Sequence, residues 1–531
     1  MEHGKIDKNK LNELGAFEIS FEMIELAQEN LNNNVFLNAG RGNPNWINTK
    51  SRLAFNRIVE FGIKESQRTI NMADLAGYTK IRGIEDRFND FLGNNETDQF
   101  LRDAIVYCKD KLGLKTDELI KEFIDGAIGN NYPVPSRALV NTEVILNRYL
   151  QKTLYNGVDL EKETLVFPTE GGTAAMVYIF NSLKRNNLIK AGDKIAINTP
   201  IFTPYLQIPE LAEFDLVEVF VESDEKDHWD ISLDELDKLK DPEIKAFFVV
   251  NPSNPASKAL NQAALQKIKE VVAENPDLIV LTDDVYGTFV EDFQTVYSVV
   301  PENTILVYSY SKLFGATGWR VGLIALHQNN IFDRLIANFD EQTKAELNNR
   351  YKIVTNEVEK LSFMERIVAD SRSVGLYHTA GLSTPQQIME ALFSLSHLVH
   401  EGKDPYFEAC DDIVNTRYED LHETLGIPAD ESKENAKYYS IINIYELAAQ
   451  KYDQAFSDYL VKNFNRLDFL ISLAKQNGVV LMDGVGFGTS EGNLRVSQAN
   501  LPTEYYELIG KQINNLLEEY HNTYKQKHKD K

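Results

Sequence analysis

The sequence predicts an α/β fold built on a mainly parallel sheet. Short β-rich runs recur through the middle of the chain, and most are separated by patterns typical of helices, such as residues 173–188 and 262–274. Strands that alternate with helices are covered on both faces, so continuously apolar runs predict a parallel, doubly covered sheet. The seven runs are 165–167, 194–198, 216–221, 246–250, 278–282, 304–308 and 321–326.

Length, charge and cysteine content limit the class of protein. The 531 residues are enough for two domains, and 43% hydrophobic with 25% charged residues is typical of a globular protein. A net charge of −25 argues against nucleic acid or an anionic membrane as partner. No apolar run is long enough to span a bilayer, and no signal peptide is evident. Two cysteines favour a reducing cytoplasm, and the nine histidines show no metal-ligand spacing.

The N-terminal part begins with a helical pattern over residues 9–34 and then a loop, Gly40-Arg41-Gly42-Asn43-Pro44. The arginine of this turn, Arg41, is either a pocket residue or solvated. Tyr78, followed by Gly83, is either a site residue or a core tyrosine. Residues 97–162 form an apparent insertion with helices expected at 100–112, 116–123 and 142–155, and the loop 129–135 carries Tyr132.

The part after the sheet is predicted to end in a smaller α+β domain. Residues 330–373 have the charged helical pattern of a long helix, and 385–425 and 431–475 are mostly helical. Strands are expected at 479–482 and 493–496. These patterns divide the chain into an N-terminal arm with part of the small domain, a large domain and a C-terminal small domain, at 1–60, 61–345 and 346–531.

A lysine, two hydroxyls and an arginine follow the 304–308 run in one loop. Ser309, Ser311, Lys312 and Arg320 are suited to hold an anion beside a reactive amine. Polar or glycine-rich groups follow the other runs as well, and such groups at strand carboxyl ends gather at one edge of an open sheet. They are Gly172 with Thr173 at a helix start, Phe202 (with Tyr205 second), Asn254, Asp283 (with Asp284 as a structural, helix-capping acid), and Tyr286, while Arg495 lies in a later β-run.

Several of these segments together resemble the class I and II aminotransferases. They are Ser-x-Ser-Lys with Gly-x-Arg-x-Gly at 309–322, Asn-Pro-Ser-Asn-Pro at 251–255, where Ala-Ser replaces the family's Thr-Gly, and Asp-x-x-Tyr at 283–286. The resemblance implies the fold-type-I architecture and pyridoxal 5'-phosphate (PLP) as cofactor.

The resemblance also implies a role for each residue. Lys312 forms the Schiff base and moves protons. Asp283 faces the ring nitrogen and Phe202 stacks on the ring. Tyr286 and Asn254 reach the ring oxygen O3′, and Asn254 and Arg495 bind the substrate, whose α-carboxylate Arg495 holds. The phosphate is held by Gly172, Thr173, Ser309, Ser311 and Arg320, together with Tyr78 of the neighbouring subunit.

Four features together resemble one subgroup of this family: the long N-terminal part, the 97–162 insertion, the turn at 40–46 and the segment 311–320. The resemblance implies an enzyme that removes the β-carboxylate of L-aspartate as CO2 and releases L-alanine, with aminotransferase side activity. Arg41 and Tyr132 are then the candidates for a lid over the site that takes part in catalysis. Arg41 is also expected to bind the substrate. The resemblance implies a cytoplasmic homodimer with shared sites, assembled into a larger homo-oligomer. The alternatives are an ordinary aspartate or aromatic amino acid aminotransferase, and a non-enzymatic regulator with the same fold.

Overall fold

The N-terminal third is mainly helical. The computed structural model describes residues 11, 14–29, 36–132, 137–464 and 466–529. Asn48 and Asn95 cap the starts of two helices through their side chains, and glycines in the left-handed region, Gly113 and Gly129, end the Asn95-capped helix and the next one. The helices are α1 (Ala16–Glu29), α2 (Thr49–Gln67), α3 (Ile84–Phe91), α4 (Glu96–Leu112), α5 (Thr116–Ile128) and α6 (Val140–Thr153), and the short strands are β1 (Leu37–Asn38), β2 (Asn71–Met72) and β3 (Leu75–Ala76).

The centre of the molecule is an eight-stranded sheet with the order β4-β11-β10-β9-β8-β5-β6-β7. Adjacent strands from β10 to β6 are parallel, β11 is antiparallel to both its neighbours, and β7 is antiparallel to β6. All seven predicted strands are confirmed, and β7, only two residues long, was missed. The strands are β4 (Thr164–Thr169), β5 (Lys194–Thr199), β6 (Val217–Asp224), β7 (Asp230–Ile231), β8 (Ile244–Val250), β9 (Ile279–Asp283), β10 (Thr304–Ser309) and β11 (Gly322–His327).

Helices cover both faces of this sheet, as the continuous apolar strands predicted. In β8, Phe248 packs in a cluster with helix α7, while Phe247 packs in a second cluster with α10. Successive side chains of one strand therefore enter two separate cores. The helices within this part are α7 (Gly172–Arg185), α8 (Pro204–Glu210), α9 (Leu233–Asp237) and α10 (Gln262–Glu274).

The C-terminal part differs from its prediction in two places. The expected long helix over 330–373 is wrong: three shorter helices replace it, each started by a side-chain cap at Asn330, Asp340 or Ser362. The helical prediction for 431–475 is wrong at Tyr439–Asn443, which is strand β12. The helices are α11 (Ile331–Ala337), α12 (Glu341–Tyr351), α13 (Phe363–Ser371), α14 (Thr384–Leu398), α15 (Pro405–Leu425), α16 (Ile444–Lys451), α17 (Gln454–Asn463), α18 (Asp468–Asn477) and α19 (Glu504–Lys529).

A small sheet and the N-terminal helix close this part of the chain. Strands β12, β14 (Met482–Asp483) and β15 (Asn493–Ser497) form an antiparallel sheet in the order β12-β15-β14, and β13 (Val479–Val480) pairs in parallel with β1. Ile19 and Met23 of α1 pack in the same core as Leu473 of α18. The first and last segments of the chain are therefore neighbours. The two cysteines, Cys108 and Cys410, are buried and unpaired.

Candidate active site

A cavity of about 220 Å³ lies where the central sheet meets the small sheet. Its walls include residues that end or directly follow strands β4, β5, β8, β9 and β10, as expected for a site at the carboxyl ends of an open sheet. Eleven of the residues predicted from sequence line it: Gly172, Thr173, Phe202, Asn254, Asp283, Tyr286, Ser309, Ser311, Lys312, Arg320 and Arg495.

One end of the cavity is built to receive an anion. Helix α7 begins at Gly172, so unpaired main-chain N–H groups point to this end. Gly171 has φ +84°, and a Cβ there would lie 2.7 Å from Nη2 of Arg320, so this close approach requires glycine. The Arg320 guanidinium donates to the main-chain oxygens of Thr317 (2.8 Å) and Glu170 (3.4 Å). Ser309 Oγ lies 2.9 Å from Ser311 Oγ.

Lys312 lies in the middle of the cavity beneath the N-terminal loop. Its Nζ donates to the main-chain oxygen of Gly42 at 3.0 Å and lies 6.0 Å from the centre of the Tyr286 ring. Trp46 holds the loop here, since its Nε1 donates to the carbonyl of Leu313 at 2.9 Å. The predicted turn around Asn43-Pro44 therefore passes directly over the amine, which positions main-chain rather than side-chain atoms against it.

Asp283 supplies a buried carboxylate at the floor. It is 7% exposed and accepts hydrogen bonds from the Tyr205 hydroxyl (3.2 Å) and the Val285 N–H (3.3 Å). Burial raises the pKa of Asp283 to about 6, although the two hydrogen bonds and the charge of Lys312 oppose the shift. A cationic group placed against this carboxylate would therefore be stabilised.

The neighbouring acid, Asp284, lies away from the cavity. It is fully buried and accepts from Thr282 Oγ1 at 2.5 Å, and burial raises its pKa to about 8. The expectation that its side chain caps a helix is wrong, because the short helix that follows has Tyr286 at its N-cap and no side-chain capping bond.

Arg495, in β15, lines the cavity from the small sheet. Its guanidinium donates to Asn254 Oδ1 at 2.9 Å and to the Gly40 carbonyl at 2.6 Å, while Nε is buried without a hydrogen-bond partner. Burial lowers the pKa of Arg495, and nearby tyrosines oppose that shift. A buried guanidinium with unused donor capacity is suited to hold a carboxylate in two-point contact.

Sequence reasoning missed Tyr439 and Phe17, which also line the cavity. The Tyr439 hydroxyl lies 2.8 Å from that of Tyr286, and its ring lies 4.4 Å from the Arg495 guanidinium carbon. The run Tyr438-Tyr439-Ser-Ile-Ile is β-rich, and that signal could have identified the strand. Phe17 comes from α1, and nothing in its local pattern distinguishes it from a core residue.

Three predicted site residues lie outside the cavity lining of the single chain. Tyr78 and Tyr132 are each 68% exposed. Arg41 is exposed, with its guanidinium carbon 5.8 Å from the Phe21 ring centre. Residues 133–135 of the predicted loop 129–135 lie outside the described residues. The functions assigned to these three side chains stay predictions.

The described residues hold neither a candidate membrane span nor a candidate metal site. No helix there is long and apolar enough to cross a membrane. Over the same ranges, no group of three or more His, Cys, Asp or Glu side chains could hold a metal ion.

Comparison with known proteins gives a family and a set of relatives. The family model for aminotransferase class I and II matches residues 114–513. A bifunctional aspartate aminotransferase and L-aspartate beta-decarboxylase from Pseudomonas sp is 43% identical over 525 residues, 98% of each chain. An aspartate aminotransferase from Pyrococcus abyssi is 30% identical over 232 residues, 42% of this chain and 57% of that protein.

Solved structures show the same fold. The aspartate aminotransferase from Thermus thermophilus with maleate superposes with a TM-score of 0.59 at 15% identity, over 97% of this chain and 100% of that one. An aromatic aminotransferase from Pyrococcus horikoshii OT3 gives a TM-score of 0.58 at 18% identity, over 94% and 99%. The prediction of the fold-type-I architecture is confirmed.

Proposed function

This chain belongs to the class I and II aminotransferase family, and from that membership we propose that it converts L-aspartate to L-alanine and CO2, with aspartate aminotransferase activity as a side reaction. The observation that carries the proposal is the 43% identity with the bifunctional Pseudomonas enzyme over 98% of both chains. That similarity extends well beyond the 114–513 match to the family model, so it includes most of the N-terminal segments that form the roof of the cavity.

Enzymes of this family depend on PLP, and the residues of the cavity fit that cofactor. A helix N-terminus, two serines and the Arg320 guanidinium form one end, where glycine at 171 is required for space. A lysine lies in the middle, and a buried carboxylate lies on the floor. The chemistry of these groups suits a phosphate, an aldehyde carbon and a ring nitrogen, in that order. Lys312 can react with the aldehyde of PLP, and Asp283 can pair with the protonated ring nitrogen.

We assign the residues as follows. Lys312 binds the cofactor covalently and moves the proton of the substrate Cα. Asp283 holds a proton on the ring nitrogen, Phe202 packs on the ring, and Tyr286 with Asn254 meets the ring oxygen. The cofactor, when bound, supplies conjugation that accepts an electron pair from the substrate. The phosphate is held by Gly172, Thr173, Ser309, Ser311 and Arg320.

Arg495 binds the α-carboxylate of aspartate in this proposal. Its Nη1 and Nη2 now donate to Asn254 and the Gly40 carbonyl, and Nε is unpaired in the cavity wall. A carboxylate arriving at this edge would find a planar donor pair held rigidly by the small sheet and by Asn254. Substrate orientation then places Cα next to Lys312.

The distal carboxylate decides between the two reactions. A tight ion pair on that group would stabilise the ground state and oppose its departure as CO2. Exclusion of water would also favour decarboxylation, because hydrolysis would release the keto acid instead. Arg41 and Tyr132 remain our candidates for the lid that excludes water from the site. Support comes from Gly42, which roofs the cavity directly after Arg41.

The active unit that we propose is a homodimer, assembled further into a larger homo-oligomer in the cytoplasm. Tyr78, which is exposed in the single chain, would reach the phosphate of the partner's cofactor. Exposed apolar side chains of the same region, Met72 and Leu75, support a surface covered by a second copy. We retain the division into an N-terminal arm (1–60), a large domain (61–345) and a small domain (346–531).

Supplying L-aspartate without a keto-acid acceptor tests the reaction. Sustained release of alanine and CO2 is the expected result. The second candidate, an ordinary aminotransferase, is favoured by the match to the Pyrococcus abyssi aspartate aminotransferase. That enzyme type would release about one equivalent of oxaloacetate and then stop, because no acceptor regenerates the cofactor.

A further inference from the structure

Decarboxylation requires a donor for a proton at Cβ, and none of the roles assigned above supplies that proton. When CO2 leaves, the Cβ–carboxylate bond breaks and its electron pair remains with the substrate. A new C–H bond must then form at Cβ to give the methyl group of alanine. Transamination has no such step, so a decarboxylase needs an acid near Cβ that an aminotransferase does not.

The phenol of Tyr439 lies where that acid is needed. A Cβ built on Gly42 would lie 2.1 Å from Tyr439 Oη and 3.3 Å from Lys312 Nζ. These two atoms are therefore no more than 5.4 Å apart, the sum of the two distances. The same tyrosine ring faces the Arg495 guanidinium, whose carbon is 4.4 Å from the ring centre. Tyr439 therefore lies near both Lys312 and Arg495, the two residues between which the substrate is held in our proposal.

A route for resupplying the proton is present as well. Tyr439 Oη lies 2.8 Å from Tyr286 Oη, and Tyr286 Oη lies 3.4 Å from Asn254 Nδ2. The Tyr439 phenolate formed by proton transfer can take a proton from the Tyr286 hydroxyl. Water that enters after CO2 has left then returns a proton to Tyr286. The balance is one proton consumed from solvent for each CO2 released.

Ser257, at which this chain departs from the family's loop sequence, positions Tyr439. Ser257 stands where the resembled Asn-Pro-x-Asn-Pro-Thr-Gly loop has glycine, and its φ of +60° lies in the region that favours glycine. Its hydroxyl accepts the main-chain N–H of Tyr439 at 2.7 Å, and its carbonyl accepts the N–H of Ala436 at 2.8 Å. The serine keeps the glycine-like turn and adds a hydrogen bond that fixes the start of β12.

We propose that Tyr439 is the general acid that protonates Cβ as CO2 departs, and that Ser257 is the residue that positions it. This inference rests on the proposed decarboxylase function and adds to it a residue on which alanine formation depends and transamination does not.

The test is Tyr439→Phe in the full-length holoenzyme, which keeps the ring against Arg495 and removes the hydroxyl. Alanine formation from L-aspartate should fall by at least about 100-fold, the usual contribution of a positioned acid. Transamination with 2-oxoglutarate should be retained, so oxaloacetate becomes the main product. Affinity for PLP, measured on the cofactor-free protein, and for succinate, measured by calorimetry, should be unchanged.

Two more variants separate this role from a structural one. Tyr149→Phe removes a buried hydroxyl that also lies 2.8 Å from another tyrosine hydroxyl, that of Tyr308, but outside the cavity. It should leave the ratio of products unchanged. Ser257→Gly keeps both active-site phenols and should shift the ratio in the same direction as Tyr439→Phe, by a smaller factor.

Each remaining outcome overturns the inference. Undiminished alanine formation in Tyr439→Phe would exclude the phenol as the acid, and an equal fall in both activities would make it a structural residue. If the unmodified enzyme forms no alanine from aspartate alone, the decarboxylase proposal fails first, and the role of Tyr439 fails with it.

Discussion

Replacing Asp283 by asparagine should make the cofactor-free protein more stable and its cofactor affinity weaker. Burial raises the pKa of Asp283 from an ordinary 3.8 to about 6. The folded chain therefore binds this proton more tightly than the unfolded chain, and stability is lost as pH rises between those two values. A shift of about two pKa units corresponds to about 3 kcal/mol, and the neutral amide avoids that loss.

The assay is urea unfolding of the cofactor-free proteins as a function of pH. The stability of Asp283→Asn relative to the unmodified protein should increase from about pH 4 to about pH 6 and stay constant above, reaching up to about 3 kcal/mol. PLP affinity should fall at the same time by about 10- to 150-fold, the loss of a charge-assisted hydrogen bond worth about 1.5–3 kcal/mol.

The adjacent carboxylate provides the matched control. Burial raises the pKa of Asp284 to about 8, and this side chain lies outside the cavity lining. The relative stability of Asp284→Asn should therefore keep rising up to about pH 8, with PLP affinity unchanged. A pH-independent stability difference for Asp283→Asn, or undiminished PLP affinity, would refute the assignment of Asp283 to the ring nitrogen.

Four further predictions concern the remaining site residues. Lys312→Ala should lose turnover and the pH-sensitive visible absorbance of the bound cofactor, and normal turnover would move the Schiff base elsewhere. Arg495→Lys keeps the charge but loses the planar donor pair, so kcat/KM for aspartate should fall by about 10-fold or more while PLP content stays constant; an unchanged response to aspartate contradicts the assignment. Tyr78→Phe and Lys312→Ala subunits, each impaired alone, should partly restore activity when mixed and reassembled, and no recovery in proven mixed dimers would count against a shared site. Arg41→Ala and Tyr132→Phe should shift the products toward oxaloacetate without loss of PLP, whereas a parallel fall of both activities would indicate a purely structural role.

The central sheet and the residues at its edge could be predicted because their signals are local. A β-rich run followed by Asn-Pro-Ser-Asn-Pro or by Asp-x-x-Tyr predicts both a strand and the polar residue that lies at its carboxyl end. The carboxyl ends of parallel strands share one edge, so Asn254 and Asp283 were expected at the same edge of the sheet without any knowledge of register. The structure places both in the cavity lining.

The residues that were missed depend on long-range pairing. Tyr439 is a site residue because β12 pairs with β15, where Ile441 is opposite Arg495. The segment that contains Tyr439 is followed by helical patterns. No local feature of that segment indicates which distant strand it pairs with. Tyr78, Tyr132 and Arg41 are exposed in the single chain, so the roles predicted for them stay predictions.

The contact between Arg495 and Gly40 joins residues that are 455 positions apart. During synthesis at about 5–20 residues per second, the N-terminal loop would wait roughly 20 to 90 s for its arginine to leave the ribosome. The cavity therefore cannot be completed while most of the chain is being made, and its high contact order makes it a late product of folding. Any premature stop before β15 would yield a chain that lacks Arg495 and the hydrogen bond from it to the Gly40 carbonyl.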